Sequence, residues 1–317
     1  MKIGEATVKI IRLSQPHNLN QLDFPEMVMA LGYFDGVHKG HQKVITKAKE
    51  IAKGAGMKSA VMTFHPHPLV VLRKKEDIDY ITPLEEKIQL IQDLDVDLLF
   101  VVEFTKEFAA LLPQQFVDDY IIKLNVKHVV AGFDFTYGHL GKGTMETIPF
   151  HSREQFLHTT VEKITDHDRK VSSTLIREVI RSGDVEYAQT LLGRPHSVAG
   201  IVVHGDKRGR TIGFPTANVE VEEHYLIPPT GVYAVTIDID TVIFDGVCNI
   251  GYKPTFNNDK SPKPSIDFNR EIYGQKVSVS WFKRIRSEKK FHNVDELIEQ
   301  ISKDKAAAEQ FFHKKMV

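Results

Sequence analysis

The stretch "ALGYFDGVHKGHQKVITKAKE", residues 30–50, decides the fold of the first half of the chain. An apolar run over residues 28–33 enters a turn with Gly32 and Gly36, and a helical pattern begins behind His38, Gly40 and His41. A glycine-bearing turn between a strand and a helix lets backbone N–H groups approach a phosphate, and the helix N-terminus adds a favourable dipole. His38 and His41, three residues apart on the first turn, face one side. Both are placed to donate hydrogen bonds to phosphate oxygens as negative charge builds at a reacting phosphorus. One isolated histidine would read as a cap or a surface residue. Converging histidines and glycines read as a site.

Outward from this stretch, apolar runs at residues 28–33, 59–64, 98–104 and 128–133 read as buried strands. Helical patterns lie between them at 41–56, 82–94 and 113–124. The second opens with Thr82, Pro83 and Glu85, which predicts a capping box with proline at the first helical position. Strand and helix in alternation predict a parallel sheet covered by helices. Two further helices are expected at 173–183 and 184–193. "GRPHSVAG", 193–200, then reads as a linker. Short strands follow, separated by Gly, Pro and Asn, and predict a small antiparallel barrel closed by an amphipathic helix over 293–315.

With 317 residues the chain has room for two domains, and 42% hydrophobic residues give each a core. A formal net charge of −1 argues against a strongly basic nucleic-acid or membrane binder. The single cysteine, Cys248, forms no intrachain disulfide, and neither a signal peptide nor a membrane-length apolar run is expected. A cytoplasmic protein is the expectation.

The string Gly32 to His41 matches the HxGH signature of the nucleotidyltransferase superfamily. That signature alone leaves several substrates open, among them pantetheine phosphate, nicotinate mononucleotide and glycerol phosphate. "TFHPHP" (63–68), "GFDFTYGHLGKG" (132–143) and "VSSTLIREVIRSGD" (171–184) narrow it, and the resemblance runs on through the second half. Nearly the whole chain resembles the prokaryotic bifunctional riboflavin kinase/FAD synthetase family. The resemblance implies an α/β chain: an N-terminal Rossmann-like HxGH nucleotidyltransferase domain over 1–186, then a C-terminal antiparallel β-barrel of riboflavin-kinase type with a terminal helix over 187–317. It implies His38 and His41 at the reacting phosphates, and ATP held by Gly32, Phe34, Asp35, Gly36, Gly40, Ser172, Ser173, Thr174 and Arg177. Hydroxyls and N–H groups at a helix start, with a cation one turn on, suit a phosphate clamp. Phe64, Pro66, His67, Pro68, Asp134, Phe135 and Gly138 are implied on the flavin side. The substrates are then ATP and FMN, with Mg²⁺, and neither nucleic acid nor membrane is an expected partner.

"HGDKRGRTIGFPTANVEV" (204–221) resembles the ATP segment of the kinase module. The resemblance implies Gly205, Lys207, Gly209 and Arg210 as a phosphate-facing loop, with Thr216 and Asn218 holding Mg²⁺ through side-chain oxygens. One departure stands out. In "KPTFNNDKSPKPSIDFNREIYG" (253–274), Ser265-Ile266 passes directly to Asp267-Phe268, where the family has a strand containing the expected general base, a glutamate. Pro262 and Pro264 also predict a poor interior strand. Since loss of a positioned base typically costs about 10² to 10⁴ in rate, the expectation is an FAD synthetase whose kinase-like domain is inactive. Two other readings stay open: a fully bifunctional enzyme that also phosphorylates riboflavin, and a flavin-sensing regulatory protein.

Overall fold

The structure is a computed structural model and describes residues 8–73, 78–203, 214, 216–221, 224–251, 263–267 and 272–315. It divides into two compact units, Met1–Ser172 and Ser173–Val317.

In the first unit, β1 (Lys9–Leu13), β2 (Met27–Leu31), β3 (Lys58–His65), β4 (Leu98–Glu103), β5 (Val126–Gly132) and β6 (Leu157–Val161) form one parallel sheet. Their order is β1-β4-β3-β2-β5-β6. The four strands expected from apolar runs are joined by β1 and β6 at the edges, where one-sided exposure weakens the apolar signal. Every residue of β2 is buried, because alternate side chains feed two cores. Met27, Met29 and Leu31 join Met62, Phe100 and Tyr120 on one side. Val28 and Ala30 join Val61, Leu99 and Val44 on the other.

Helix α1 (Lys39–Ala55) returns from β2 and buries Val44, Ile45, Ala48 and Ala52. Gly56 ends it in the left-handed conformation, φ 67°, giving its N–H to the Ala52 and Lys53 carbonyls. The chain runs from β2 to β3 on one side and from β5 to β6 on the other. The end of β2 therefore lies at a switch point of the sheet, where ligands of open parallel sheets bind.

The helix expected at 82–94 is α2 (Leu84–Gln92), but its capping box does not form. Pro83 is the N-cap, and the buried Thr82 gives its backbone N–H to Asp35 Oδ1 at 3.1 Å. A tertiary acceptor thus replaces the local one.

The second unit opens with α3 (Ser173–Ser182) and α4 (Val185–Leu192). Asp184 caps α4 by accepting the Tyr187 N–H at 2.9 Å. Six antiparallel strands then close a barrel: β7 (His196–Val203), β8 (Thr216–Glu220), β9 (Gly231–Ile239), β10 (Val242–Gly251), β11 (Lys263–Asp267) and β12 (Lys276–Arg286). Their order is β7-β8-β11-β10-β9-β12. Val198, Val202, Tyr233, Val235, Ile250 and Trp281 fill it. Helix α5 (Val294–Lys315) packs Ala308 and Phe312 on Ala234 and Phe282, and buried Asp304 takes a forked pair of bonds from Arg286 at 2.9 and 2.7 Å.

Two further expectations differ from the structure. The supposed linker at 193–200 is only three residues long: Gly193 ends α4, and β7 already starts at His196, whose Nε2 lies 2.7 Å from the Leu226 carbonyl. Residues 263–267 do form an interior strand, between β8 and β10, despite Pro264. Pairing with β10 spans 263–266, but pairing with β8 begins only at Ser265, so the missing proline donor falls where one ladder has not started. The second proline, Pro262, lies outside the described residues.

Candidate active site

The turn from β2 to α1 is held in an unusual backbone shape. Phe34, Gly36 and Val37 all have positive φ, at 53°, 85° and 38°, although valine is poorly suited to it. Gly32 lies under the Phe34 ring, where a Cβ would come within 2.6 Å of it. Gly40 faces the His38 ring, 3.0 Å from where a Cβ would stand. These contacts explain both glycines by close packing, independently of any ligand.

His38 is the N-cap of α1, and its Nδ1 accepts the His41 N–H at 3.3 Å. The His38 and His41 rings stack. Burial draws the His38 pKa down to about 4, partly opposed by Asp35. His41 lies well below its ordinary value, first through burial and then through His38, Lys87 and Lys170. Both rings are therefore neutral at pH 7, and each keeps one N–H and one acceptor nitrogen. The bond from His41 leaves the proton of neutral His38 on Nε2.

Asp35 is buried and committed to the start of α2, accepting the Thr82 and Ile81 N–H groups at 3.1 and 3.5 Å. It fixes the turn. Beside it Lys87, from α2, is also buried. Nothing in the amphipathic pattern of 82–94 distinguishes Lys87 from a surface lysine, and no local signal marks it.

A cavity of about 570 Å³ opens beside this turn, a size suited to a small ligand. Of the residues expected on the flavin side, Phe64, Pro68, Asp134, Phe135 and Gly138 line it, and so does His41. Pro66 and His67 do not line it. His67 instead packs edge-on against Tyr33, 4.6 Å between centroids, and accepts the Leu69 N–H at 3.0 Å. Tyr33, Phe104, Phe108, Phe116 and Tyr137 also line the cavity. Phe104 ends the apolar run read as a buried strand and Phe108 follows it on a short helix, so apolar character alone read as core and concealed their place at a cavity.

Lys170 is a second cation that the motifs did not single out. It follows the tight turn at His167 and Asp168, pairs with Asp134, and sits 4.5 Å over the Phe133 ring. The first unit thus brings together a neutral histidine pair, a buried lysine, an ion-paired lysine and an aromatic cavity. Ser172 ends that unit. Ser173, Thr174 and Arg177 lie in the first turns of α3 in the second unit.

In the barrel, Gly205, Lys207, Gly209 and Arg210 lie outside the described residues. Thr216 and Asn218 are two apart on β8, on one face of the strand. Asn218 is buried and stands opposite Val203 on one side and Ser265 on the other. A hydroxyl and an amide oxygen side by side fit a hard cation that keeps phosphate and water among its ligands.

Comparison with known proteins adds the family. Residues 21–175 match the FAD synthetase family model and residues 192–312 the riboflavin kinase model. A Bacillus subtilis protein described as a bifunctional riboflavin kinase/FMN adenylyltransferase is 55% identical, over 96% of this chain and 98% of its own. Proteins of the same description from Listeria monocytogenes and Escherichia coli K12 are 46% and 35% identical, covering 97% and 93% of this chain and 99% and 96% of theirs. A crystal structure described as a macrolide-efflux protein from Streptococcus pneumoniae superposes with a TM-score of 0.83 at 35% identity, over 94% of this chain and 97% of that one. Among the described residues no helix is long and apolar enough to cross a membrane. With a site built around an HxGH turn and full-length relatives of one description, this chain belongs to the bifunctional riboflavin kinase/FMN adenylyltransferase family.

Proposed function

We propose that the chain makes FAD in two steps, phosphorylating riboflavin with one ATP and adenylylating the resulting FMN with another. We assign the second step to residues 1–186 and the first to 187–317, and place the enzyme in the cytoplasm. The observation that carries the adenylyl step is the stacked, neutral histidine pair, of which His41 lines an aromatic cavity.

In that step an ionised phosphate oxygen of FMN attacks the α-phosphorus of ATP. The bond from that phosphorus to the bridging oxygen of the β-phosphate breaks, and pyrophosphate leaves with the electron pair. The second pKa of such a phosphate is about 6, so the nucleophile is already ionised and no base is needed. The residues have to position the two anions and stabilise the added charge. His38 and His41 supply N–H donors without net charge, and so form no salt bridge with the ground-state triphosphate; their bonds strengthen as charge builds. The turn at Gly32, Phe34, Asp35, Gly36 and Gly40 holds ATP; Ser172, Ser173, Thr174 and Arg177, hydroxyls and a cation at a helix start, have the chemistry of a phosphate clamp. Phe64, Pro68, Phe135 and Gly138 receive the flavin, with Asp134 beside them and His67, behind Pro66, shaping the cleft through Tyr33.

In the kinase step the primary alcohol of riboflavin attacks the γ-phosphorus of ATP, the bond from that phosphorus to the β,γ-bridging oxygen breaks, ADP leaves with the electron pair, and the alcohol proton passes to water. Thr216 and Asn218 would hold Mg²⁺, which neutralises triphosphate charge when bound. Gly205, Lys207, Gly209 and Arg210 would face the phosphates.

The expected silence of this domain finds no support. Residues 192–312 match the riboflavin kinase model, and the full-length relatives are described by both activities. Strand β11 also pairs on both sides. The bifunctional reading is favoured. Chromatography of products from riboflavin plus ATP and, separately, from FMN plus ATP tests it. FAD should appear in both; FAD from FMN alone would return the reading in which the shortened strand has cost the kinase its activity.

A further inference from the structure

Lys87 stands in the first turn of α2 with 1% of its surface exposed, although lysine is almost never fully buried unless paired. Its Nζ donates to the Tyr33 carbonyl at 3.0 Å and lies 4.2 Å from the centre of the Tyr33 ring. Thr63 Oγ1, at the end of β3, donates to the same carbonyl at 2.9 Å. Both lone pairs of that oxygen are engaged.

The peptide that follows is fixed as a result. In a trans peptide the N–H points opposite to the C=O. The Phe34 N–H is therefore turned away from Lys87 and Thr63. Phe34 is buried, and among the described residues its N–H meets no acceptor. A buried backbone donor left open in this way is uncommon, and a bound anion would satisfy it.

We propose that Lys87 is a positioning residue for adenylyl transfer: by anchoring the Tyr33 carbonyl it fixes the Phe34 N–H as a donor to the nucleotide phosphates, and its ammonium sets positive charge at the start of α1. This rests on the FMN adenylyltransferase reading. The groups facing Lys87 are Asp35 on the turn, His41 on α1 and His65 at the end of β3, with Glu85 and Arg12 near His65. Burial draws the ammonium down to about 8 against the opposing pull of Asp35. Its charge is present below that pH and lost above it.

The test is FAD formation from FMN and ATP between pH 6 and 10, using the full chain and its Lys87→Gln, Lys87→Arg and Thr63→Val variants. The wild type should lose kcat/KM for ATP as pH rises through about 8. Lys87→Gln should be lower by about 10², the usual cost of one preorganised donor, and should show no such limb. Lys87→Arg stays charged and should be flat across the same range. Thr63→Val should fall about tenfold while keeping the limb near pH 8, because it loosens the carbonyl but leaves the charge. A folded Lys87→Gln enzyme that keeps the wild-type limb, or near-normal activity, overturns the proposal. If circular dichroism shows Lys87→Gln unfolded, Lys87→Arg decides, and a limb persisting at pH 8 in that variant overturns it equally. A wild type that makes no FAD at any pH would instead overturn the adenylyltransferase reading.

Discussion

The imidazole rings of His38 and His41 lie 3.6 Å apart between centroids and 17° from parallel, on a helix whose N-cap is the first of them. Burial disfavours a charge on either ring, so the pair works as neutral donors. Replacing either with asparagine should lower FAD formation about 10²-fold, as expected for losing one preorganised donor. Asparagine is a favoured N-cap, so His38→Asn should shift the melting temperature by only a few degrees. Near-normal turnover in both variants would remove the histidines from the reaction.

The same burial makes stability depend on pH. His38 titrates near 4 when folded and near 6.5 when unfolded. The unfolded chain therefore binds more protons between those values, and stability rises with pH across that window. The contribution is fully present above about pH 6.5 and is lost as pH falls toward 4, worth up to roughly 3 kcal/mol for a group this enclosed. Urea unfolding at pH 4.5 and 7.5 should show a clearly smaller acid loss in His38→Asn than in the wild type. Equal losses would mean that His38 is charged or exposed.

Lys170 holds Asp134 across the rim of the cavity. Substrate phosphates compete for that ammonium, so Lys170→Met should raise KM for ATP or FMN about tenfold or more, in line with one charge-assisted hydrogen bond. The turnover number should move less. An unchanged KM for both substrates would leave Lys170 a purely structural partner of Asp134.

Arg177 stands in the second turn of α3, behind Ser173 and Thr174. A guanidinium clamps phosphate with a planar fork that lysine lacks. Arg177→Lys should weaken ATP use measured at subsaturating ATP. Wild-type activity in that variant would exclude a forked contact.

The barrel offers a separation of the two activities. Asn218→Ala should depress FMN formation from riboflavin while FAD formation from FMN persists, because β8 belongs to the second unit and the histidine pair to the first. Loss of both activities together would show that the two units do not act independently.

How much of this the sequence carried follows from where each signal is stored. The β2 turn, α1 and the barrel strands other than β11 were legible because local periodicity and glycine spacing specify them. The failed capping box at Thr82 was not, since Asp35, 47 residues earlier, takes the N–H that a local cap would have taken. Pro264 misled for the same reason. Its tolerance within β11 depends on where the β8 ladder begins, and that is a property of a partner strand.

By itself the sequence determined the parallel sheet, the antiparallel barrel and the histidine turn, because hydrophobic period and turn chemistry act over a few residues. Only the tertiary structure decided that Lys87 is buried beneath Tyr33, that Asp35 supports a loop, and that Phe104 and Phe108 wall a cavity. A lysine or phenylalanine on an amphipathic helix reads alike whether it meets solvent, core or ligand. The difference lies in what packs against it from distant parts of the chain, and that packing sets both the pKa of a buried amine and the shape of a pocket.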